Sequence, residues 1–351
     1  MIRSALVVGS GLIGTSIALA CKQRGIEVAV EDISELHRDL AQDLLGASTI
    51  TNEPEIIFLA TPASAIGSEF LRLKSLYPKS IVIEISGLKF NLEEEVRSRS
   101  AEKLIFTHPM AGREVSGPES ARADLFEGRI WILVPRTEND PKDISKVEEV
   151  LRELGSTVIT MTADVHDAAI SSISHMPQLL SSLLGSLINE ESIESLSVSG
   201  QGLRDMTRLA SSQPELWSDL FLGNRRENIA RIQKLESLLE SFRLALESEN
   251  KKFIQEFLTE GGKGKSRIPG KHGGKGRDYT YLPIVIQDRP GQLANLFHEC
   301  GVAGVNVEDL SIEHSPGQET GLITLALSEQ DAEILLKHLR SQGWLAHPPR
   351  K

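Results

Sequence analysis

The sequence predicts three domains in series: an α/β domain over residues 1–162, an all-helical domain over 163–260 and a small α+β domain over 278–351. Three observations predict them. Short apolar runs alternate with helically spaced segments up to residue 162, and long helical spacing then takes over without strand punctuation. After a stretch rich in Gly and Lys, an independent β-α-β-β-α pattern closes the chain.

In the first region Ala5–Val8, Val28–Val30, Ile56–Ala60 and Ile81–Ile85 read as buried strands, because apolar runs of this length fit a sheet covered on both faces. Leu104–Phe106, Trp131–Val134 and Thr157–Ile159 continue the series. Helices are expected over Leu12–Arg24, Glu35–Leu45 and Asp143–Leu154. Strand and helix in turn imply βαβ units and a parallel, doubly wound sheet. In the second region Asp164–Ile188 and Pro214–Leu246 have helical spacing, with a charged extension to Phe257 and an interruption at Gly200–Arg208. Pro177 should kink its helix and free a carbonyl.

Residues 261–277 contain seven Gly, six Lys or Arg and no acid. They read as a linker, with a basic flap over an anionic ligand as the sharper alternative. Beyond them Tyr281–Gln287, Val305–Glu313 and Gly321–Leu327 are strand-like, and Gly291–Cys300 and Asp331–Gln342 helical. That order fits a ferredoxin-like sandwich independent of what precedes it.

Composition narrows the class. Of 351 residues, 40% are hydrophobic and 25% charged, which is globular and excludes disorder, collagen and coiled coil. With 38 basic against 49 acidic residues the net charge is −11, which argues against nucleic-acid and acidic-membrane partners. Only Cys21 and Cys300 are present, so no disulfide framework or CxxC metal site can be built and a reducing, cytoplasmic compartment is expected. The longest uncharged stretch, Ala168–Asn189, carries His175, Pro177, Gln178 and six serines, and reads as an interior helix rather than a membrane span. The first residues lead straight into a strand, a fold beginning rather than a cleavable leader.

Gly9-Ser10-Gly11-Leu12-Ile13-Gly14 is a GxGxxG between a strand and a helix. Gly9 permits the turn, Gly11 lets backbone approach a pyrophosphate at the helix N-terminus, and Gly14 lets helix pack on strand. In this context the motif is the Rossmann dinucleotide fingerprint. Eighteen residues after Gly14, Asp32 ends the second strand, where an acid hydrogen-bonds ribose hydroxyls and repels a 2′-phosphate. NAD is therefore expected rather than NADP. The competing reading of Asp32 is a helix cap, a role Ser34 fills as well. Thr61 and Pro62, beyond the third strand, complete the expected cofactor set.

Three further clusters carry chemistry. Thr107-His108-Pro109-Met110-Ala111-Gly112-Arg113-Glu114 follows a strand, so His108 should project into the cleft beyond the carboxyl ends of the sheet and accept a proton there. Gly200-Gln201-Gly202-Leu203-Arg204-Asp205-Met206-Thr207-Arg208 places two Arg four residues apart, suited to gripping a carboxylate. A solvated basic face is the blander reading, and Met206, Leu209 and Ala210 suggest partial burial instead. His166-Asp167 and Ser174-His175-Met176-Pro177-Gln178 form the third cluster, where a buried His is as often a core residue as a ligand contact.

Together these motifs resemble the prephenate/arogenate dehydrogenase family of tyrosine biosynthesis, over nearly the whole chain and in family order. Asp288-Arg289-Pro290-Gly291-Gln292-Leu293-Ala294 and Gly304-Val305-Asn306-Val307 resemble an ACT regulatory domain. The resemblance implies NAD-dependent oxidative decarboxylation of prephenate, with His108 as base, Arg208 on the ring carboxylate and Glu114 gating the cleft. It further implies His175, Gln178, Arg204 and Asp205 at the substrate, and a homodimer. L-Tyrosine is the implied effector, at Asp288, Gly291 and Asn306. Two departures stand out. The family's Ser-x-Lys becomes Ser86-Gly87-Leu88-Lys89, so Ser86 can serve His108 only through a backbone shift. A frequent second His is Gln178 here.

The alternatives are an arogenate dehydrogenase, a β-hydroxyacid dehydrogenase and a non-catalytic module sensing NAD and amino acids. The absence of Lys from Asp164–Ile188 counts against the second. For the C-terminal domain, the alternative to regulation is an inert dimerisation appendage.

Overall fold

A computed structural model describes residues 2–46, 50, 52–96, 101–112, 117–268, 279–314 and 320–350. The chain divides into two units, Met1–Asn250 and Lys251–Lys351.

The first unit begins with β1 (Ser4–Val8), α1 (Leu12–Gln23), β2 (Glu27–Glu31), α2 (Glu35–Leu45), β3 (Ile56–Leu59), α3 (Ile66–Leu76), β4 (Ile81–Glu84) and α4 (Phe90–Val96). It continues with β5 (Leu104–Pro109), β6 (Ile130–Val134), α5 (Pro141–Glu153) and β7 (Thr157–Thr160). The strands form one sheet in the order β2-β1-β3-β4-β5-β6-β7. Alternate residues feed two cores. Ala5 and Val7 pack with Ile17, Phe58 and Leu151 on one face, while Leu6 and Val8 pack with Phe70, Leu73 and Phe106 on the other. Double coverage explains why these strands read as unbroken apolar runs.

The sheet is mixed rather than wholly parallel. β6 runs antiparallel to β5, with His108 opposite Ile132. A parallel neighbour needs a crossover of a dozen or more residues, usually helical. Between β5 and β6 the described residues contain only the 3₁₀ turn Pro118–Ser120.

The helical part of this unit holds α6 (Ala163–Ile170), a π-turn (Ser171–His175), α7 (Met176–Ile188), α8 (Ile193–Ser197) and α9 (Gln201–Thr207). A 3₁₀ turn (Arg208–Ser211), α10 (Pro214–Gly223) and α11 (Arg225–Glu247) follow. Three expectations are corrected. The predicted interruption at Gly200–Arg208 is itself a short helix ending in a 3₁₀ turn. The helix predicted over Pro214–Leu246 breaks at Asn224, whose amide donates to the Asp167 carbonyl at 2.8 Å instead of facing solvent. At Pro177, which removes a helical donor, the structure widens into the π-turn just before it.

The second unit starts with α12 (Lys251–Ser266), so helix extends six residues into the stretch expected to be linker. Lys263, within that stretch, pairs with Glu260 one turn earlier. Residues 269–278 lie outside the described residues. Then come β8 (Thr280–Gln287), α13 (Gln292–Val302), β9 (Asp309–His314), β10 (Thr320–Leu327), α14 (Glu329–Ser341) and β11 (Leu345–Ala346). The sheet is antiparallel, in the order β11-β8-β10-β9, around a core of Leu282, Ile284, Leu296, Leu325 and Leu335. Two details differ from expectation: β9 begins at Asp309, four residues late, and β11 adds a short sixth element.

Candidate active site

The nucleotide loop is shaped by close backbone approach. Gly9 has φ +98° and donates its amide to the Glu31 carbonyl at 2.8 Å. A Cβ there would stand 2.4 Å from the Ala60 carbonyl oxygen, and one on Gly14 would stand 1.8 Å from the Gly9 oxygen. Gly11 differs. It begins α1 without a side-chain cap, and a Cβ on it would meet nothing within 4 Å. An open, uncapped helix N-terminus at Gly11, Leu12 and Ile13 is where a pyrophosphate fits.

Asp32 lies beside this opening. Its Oδ2 accepts from the Ser10 amide (2.6 Å) and hydroxyl (3.0 Å), and its Oδ1 from the Ser34 amide (2.8 Å). Burial works to raise its pKa, but these donors outweigh burial and hold the carboxyl below the usual range. The Ser34 hydroxyl caps α2, so Asp32 is not needed as that cap. Thr61 presents a buried hydroxyl with no hydrogen-bond partner, and the exposed Pro62 starts the following turn. An orphaned donor, an open helix start and an ionised acid fit the dinucleotide.

His108 is the last residue but one of β5, inside the strand rather than after it as expected, at the same carboxyl end of the sheet. The strand is braced there: Trp131 Nε1 donates to Thr107 Oγ1 (3.0 Å), which donates to the Glu84 carbonyl (3.0 Å). His108 Nδ1 lies 2.9 Å from His166 Nε2, and His166 Nδ1 lies 2.7 Å from Asp167 Oδ1. Burial, then the Lys89 cation, then the neighbouring His166 and His175 hold His108 well below the ordinary imidazole range. It is therefore a neutral acceptor at pH 7.

Beneath it, Lys89 and Glu84 form a fully buried ion pair at 2.5 Å, and Lys89 also donates to the Ser86 carbonyl at 2.6 Å. Removing one partner of such a pair costs about 3–5 kcal/mol. Ser86 does not serve His108. Its hydroxyl donates to the Leu88 carbonyl (3.1 Å), and its amide bonds Glu84. The residue beside the imidazole is Gly87, whose missing Cβ would stand 3.6 Å from His108 Cε1 and 3.7 Å from Nε2. Arg113 and Glu114 lie outside the described residues.

The π-turn delivers His175 to a buried aromatic corner. Its Nδ1 faces Asn228 Oδ1 at 3.0 Å, and its ring centroid is 6.0 Å from that of Trp217 and 5.6 Å from that of Phe221. Burial depresses its pKa, although Asn228 and Asp167 oppose the shift. Gln178 is buried and bonded within the helical part. Its Nε2 donates to the Leu209 carbonyl at 2.8 Å and its Oε1 accepts from Ser212, so the amide ties α7 to the turn carrying Arg208. Arg204, Asp205 and Arg208 are exposed, as is Met206, contrary to the expected partial burial. Gln201 holds Asp205 at 2.8 Å.

With this geometry in place, two family models fit the first unit and the start of the second. Residues 17–160 match the one described as prephenate dehydrogenase, nucleotide-binding domain, and residues 162–260 the one described as prephenate dehydrogenase, dimerization domain. The chain belongs to the prephenate dehydrogenase family. Probable prephenate dehydrogenase NovF of Streptomyces niveus is 27% identical, over 98% of this chain and 99% of its own. Cyclohexadienyl dehydrogenase of Zymomonas mobilis is 26% identical, over 76% of this chain and 96% of its own. The solved prephenate dehydrogenase from A. aeolicus, in complex with hydroxyphenyl propionate and NAD+, matches with a TM-score of 0.70 at 25% identity, over 77% of this chain and 99% of that one.

The sequence motifs include His166-Asp167 and Lys89 without assigning them a role, and no motif points to Asn228, Trp217 or Phe221. The His-Asp pair sits at a helix start, a signal that was available. Asn228 acts through a partner distant in sequence, His175.

Proposed function

We propose that this chain is an NAD-dependent prephenate dehydrogenase that converts prephenate to 4-hydroxyphenylpyruvate and CO2 in L-tyrosine biosynthesis. The observation that carries this reading is His108, a neutral imidazole at a strand end beside an open Rossmann loop. When bound, NAD+ supplies the acceptor for the hydride on the ring carbinol carbon. His108 takes the hydroxyl proton as the carbonyl develops. The bond to the ring carboxylate then breaks, its electron pair completes the aromatic ring, and the phenolate oxygen takes the proton back. His108 ends as it began. Arg208 grips the ring carboxylate, with Arg204 and Asp205 beside it, Glu114 gates the cleft, and His175 in its aromatic corner shapes the side-chain end.

The test is spectrophotometric: prephenate with NAD+ should yield NADH, and absence of NADH with both prephenate and arogenate sinks the reading. Initial rates on the two substrates separate prephenate from arogenate dehydrogenase, with prephenate expected to be preferred. His108→Asn separates an enzyme from a sensor: turnover should fall about 10²–10⁴-fold while NADH binding persists.

The second unit, with its β-α-β-β-α-β order, is read as a ferredoxin-like ACT domain binding L-tyrosine. Gly291, at φ +87°, starts α13 without a side-chain cap just after Asp288, which leaves a helix N-terminus suited to a carboxylate. Asn306, bonded to Glu308 at 3.0 Å, lies before β9. Inhibition then requires two global states that tyrosine distinguishes. A truncation after Ser266 should stay active and lose tyrosine sensitivity; equal inhibition of both forms places tyrosine at the active site instead. A homodimer and a cytoplasmic location complete the reading. Exposed Leu183, Leu187, Ile193 and Val198 favour the first, and two free, buried thiols the second.

A further inference from the structure

This inference rests on His108 being the base, and it concerns which of its two ring nitrogens is available. Both Asp167 oxygens already accept backbone amides, Oδ1 from Lys89 (3.2 Å) and Oδ2 from Phe90 (2.9 Å) at the start of α4. That is the bonding pattern of a carboxylate, an acceptor only. The proton in its 2.7 Å contact with His166 therefore sits on His166 Nδ1. His166 is fully buried, and burial holds it below the ordinary imidazole range although Asp167 pulls the other way. A neutral His166 protonated on Nδ1 has a bare Nε2, which can only accept. Across the 2.9 Å contact, the His108 proton must then sit on its Nδ1. His108 Nε2 is left as the lone pair, on the side where Gly87 has no side chain to cover it.

We propose that His166 and Asp167 are positioning residues for the reaction: Asp167 sets the tautomer of His166, His166 sets that of His108, and Nε2 is kept as the acceptor toward the cleft. Neither residue transfers a proton. While His108 holds the substrate proton, its cation faces His166, with the Asp167 charge behind it, and this steadies the imidazolium until the phenolate reclaims the proton. The arrangement also accounts for an active base without a hydroxyl at position 87. The tautomer is fixed from the opposite edge of the ring.

Nitrogen-15 NMR of the histidine-labelled full chain, without substrate, reads the tautomer directly. His108 Nε2 should resonate as an unprotonated ring nitrogen. In Asp167→Asn the amide donates to His166 Nδ1, both rings reverse, and His108 Nε2 becomes protonated. A wild-type Nε2 that carries the proton overturns the proposal. In turnover, Asp167→Asn should lose about 10²–10⁴-fold in kcat, the scale of an inverted His–Asp tautomer, with the KM for NAD+ little changed. His166→Gln, whose carbonyl can still accept from His108 Nδ1, should exceed His166→Leu by about tenfold. Equal rates in those two variants overturn the proposal, as does an Asp167→Asn enzyme within about threefold of wild type. Should Asp167→Asn fail to fold, the Gln and Leu pair decides. Should the wild type oxidise neither substrate, the functional reading fails, while the NMR result still tests the pair.

Discussion

His108 stands among buried groups bonded on every side, whereas Arg204 and Arg208 stand on an exposed helix and turn. Around His108 the polar side chains are taken out of water, and each burial is offset locally: Lys89 by Glu84, His166 by Asp167, Asp167 by the amides of Lys89 and Phe90. That half is complete within one chain. The Arg half is held through Gln178, which ties its turn to α7, and Met206 between the two Arg is exposed. Such a surface is both cationic and apolar, and on the proposed reading a substrate carboxylate and a second copy would cover it. The proposed base thus stands in a bonded interior, and the proposed carboxylate grip stands on the surface.

Arg208 gives the largest test of that contrast. A guanidinium that grips the ring carboxylate contributes about 1.5–3 kcal/mol, so Arg208→Ala should lower kcat/KM for prephenate about 10- to 150-fold. NADH affinity and the melting temperature should barely change, because the side chain is exposed. Arg208→Lys should recover only part of the loss, since an ammonium cannot make the bidentate contact. A melting temperature that falls as far as the activity would mean the Arg half is as structural as the His108 half.

The interior half has the opposite signature, a strong dependence of stability on pH. His108, His166 and His175 are all held below the ordinary value of 6.5, each chiefly by burial. The groups facing them are Glu84, Lys89 and Asp167, with Asp164, Arg225, Arg226 and Glu227 around the 250 Å³ cavity against Asp167. An unfolded chain regains the ordinary value and binds more protons than the folded chain just below it. Stability therefore rises with pH through that window and is lost as pH falls below 6.5. Thermal melts should drop by several degrees between pH 7 and pH 5, and the acid limb of kcat/KM should lie below 6.5. A flat melting profile across that range would show these imidazoles to be hydrated rather than buried.

The same contrast explains what could be read from the sequence. The nucleotide loop was legible because its logic is local: Gly14 answers to the Gly9 carbonyl and Gly9 to the backbone at the end of the adjoining strand, while Gly11 leaves the helix start open. His108 was legible from its place at a strand end. The bonding of Gln178 was not legible because its partner, the Leu209 carbonyl, lies 31 residues on. For Ser86 the sequence left a backbone shift open, and nothing in Ser86-Gly87-Leu88-Lys89 reveals that the hydroxyl turns onto Leu88 instead. The direction of β6 was unreadable because an apolar run carries no polarity along the chain. What the linear pattern lacked is the choice of partner, near or far, that each polar side chain and each strand makes.

The smallest expected effect concerns Gly87, where the interior half departs from the Ser-x-Lys pattern its family resemblance implies. Position 87 has no positive φ, so a side chain is tolerated by the backbone. A Cβ would stand 3.1 Å from Leu220 Cδ2, the far end of a flexible side chain that can yield by a few tenths of an ångström. Gly87→Ser should therefore cost about 1 kcal/mol or less in stability, readable in a denaturant melt. Its hydroxyl would reach the imidazole from the side opposite His166. Because His166 and Asp167 already set the tautomer, that hydroxyl has nothing left to orient, and kcat should stay within about threefold of wild type. A gain of about tenfold would instead show that His108 is loosely held and that the buried pair orients it incompletely. A tenfold loss with unchanged stability would show that the open space at Gly87 is needed to admit the substrate hydroxyl to Nε2.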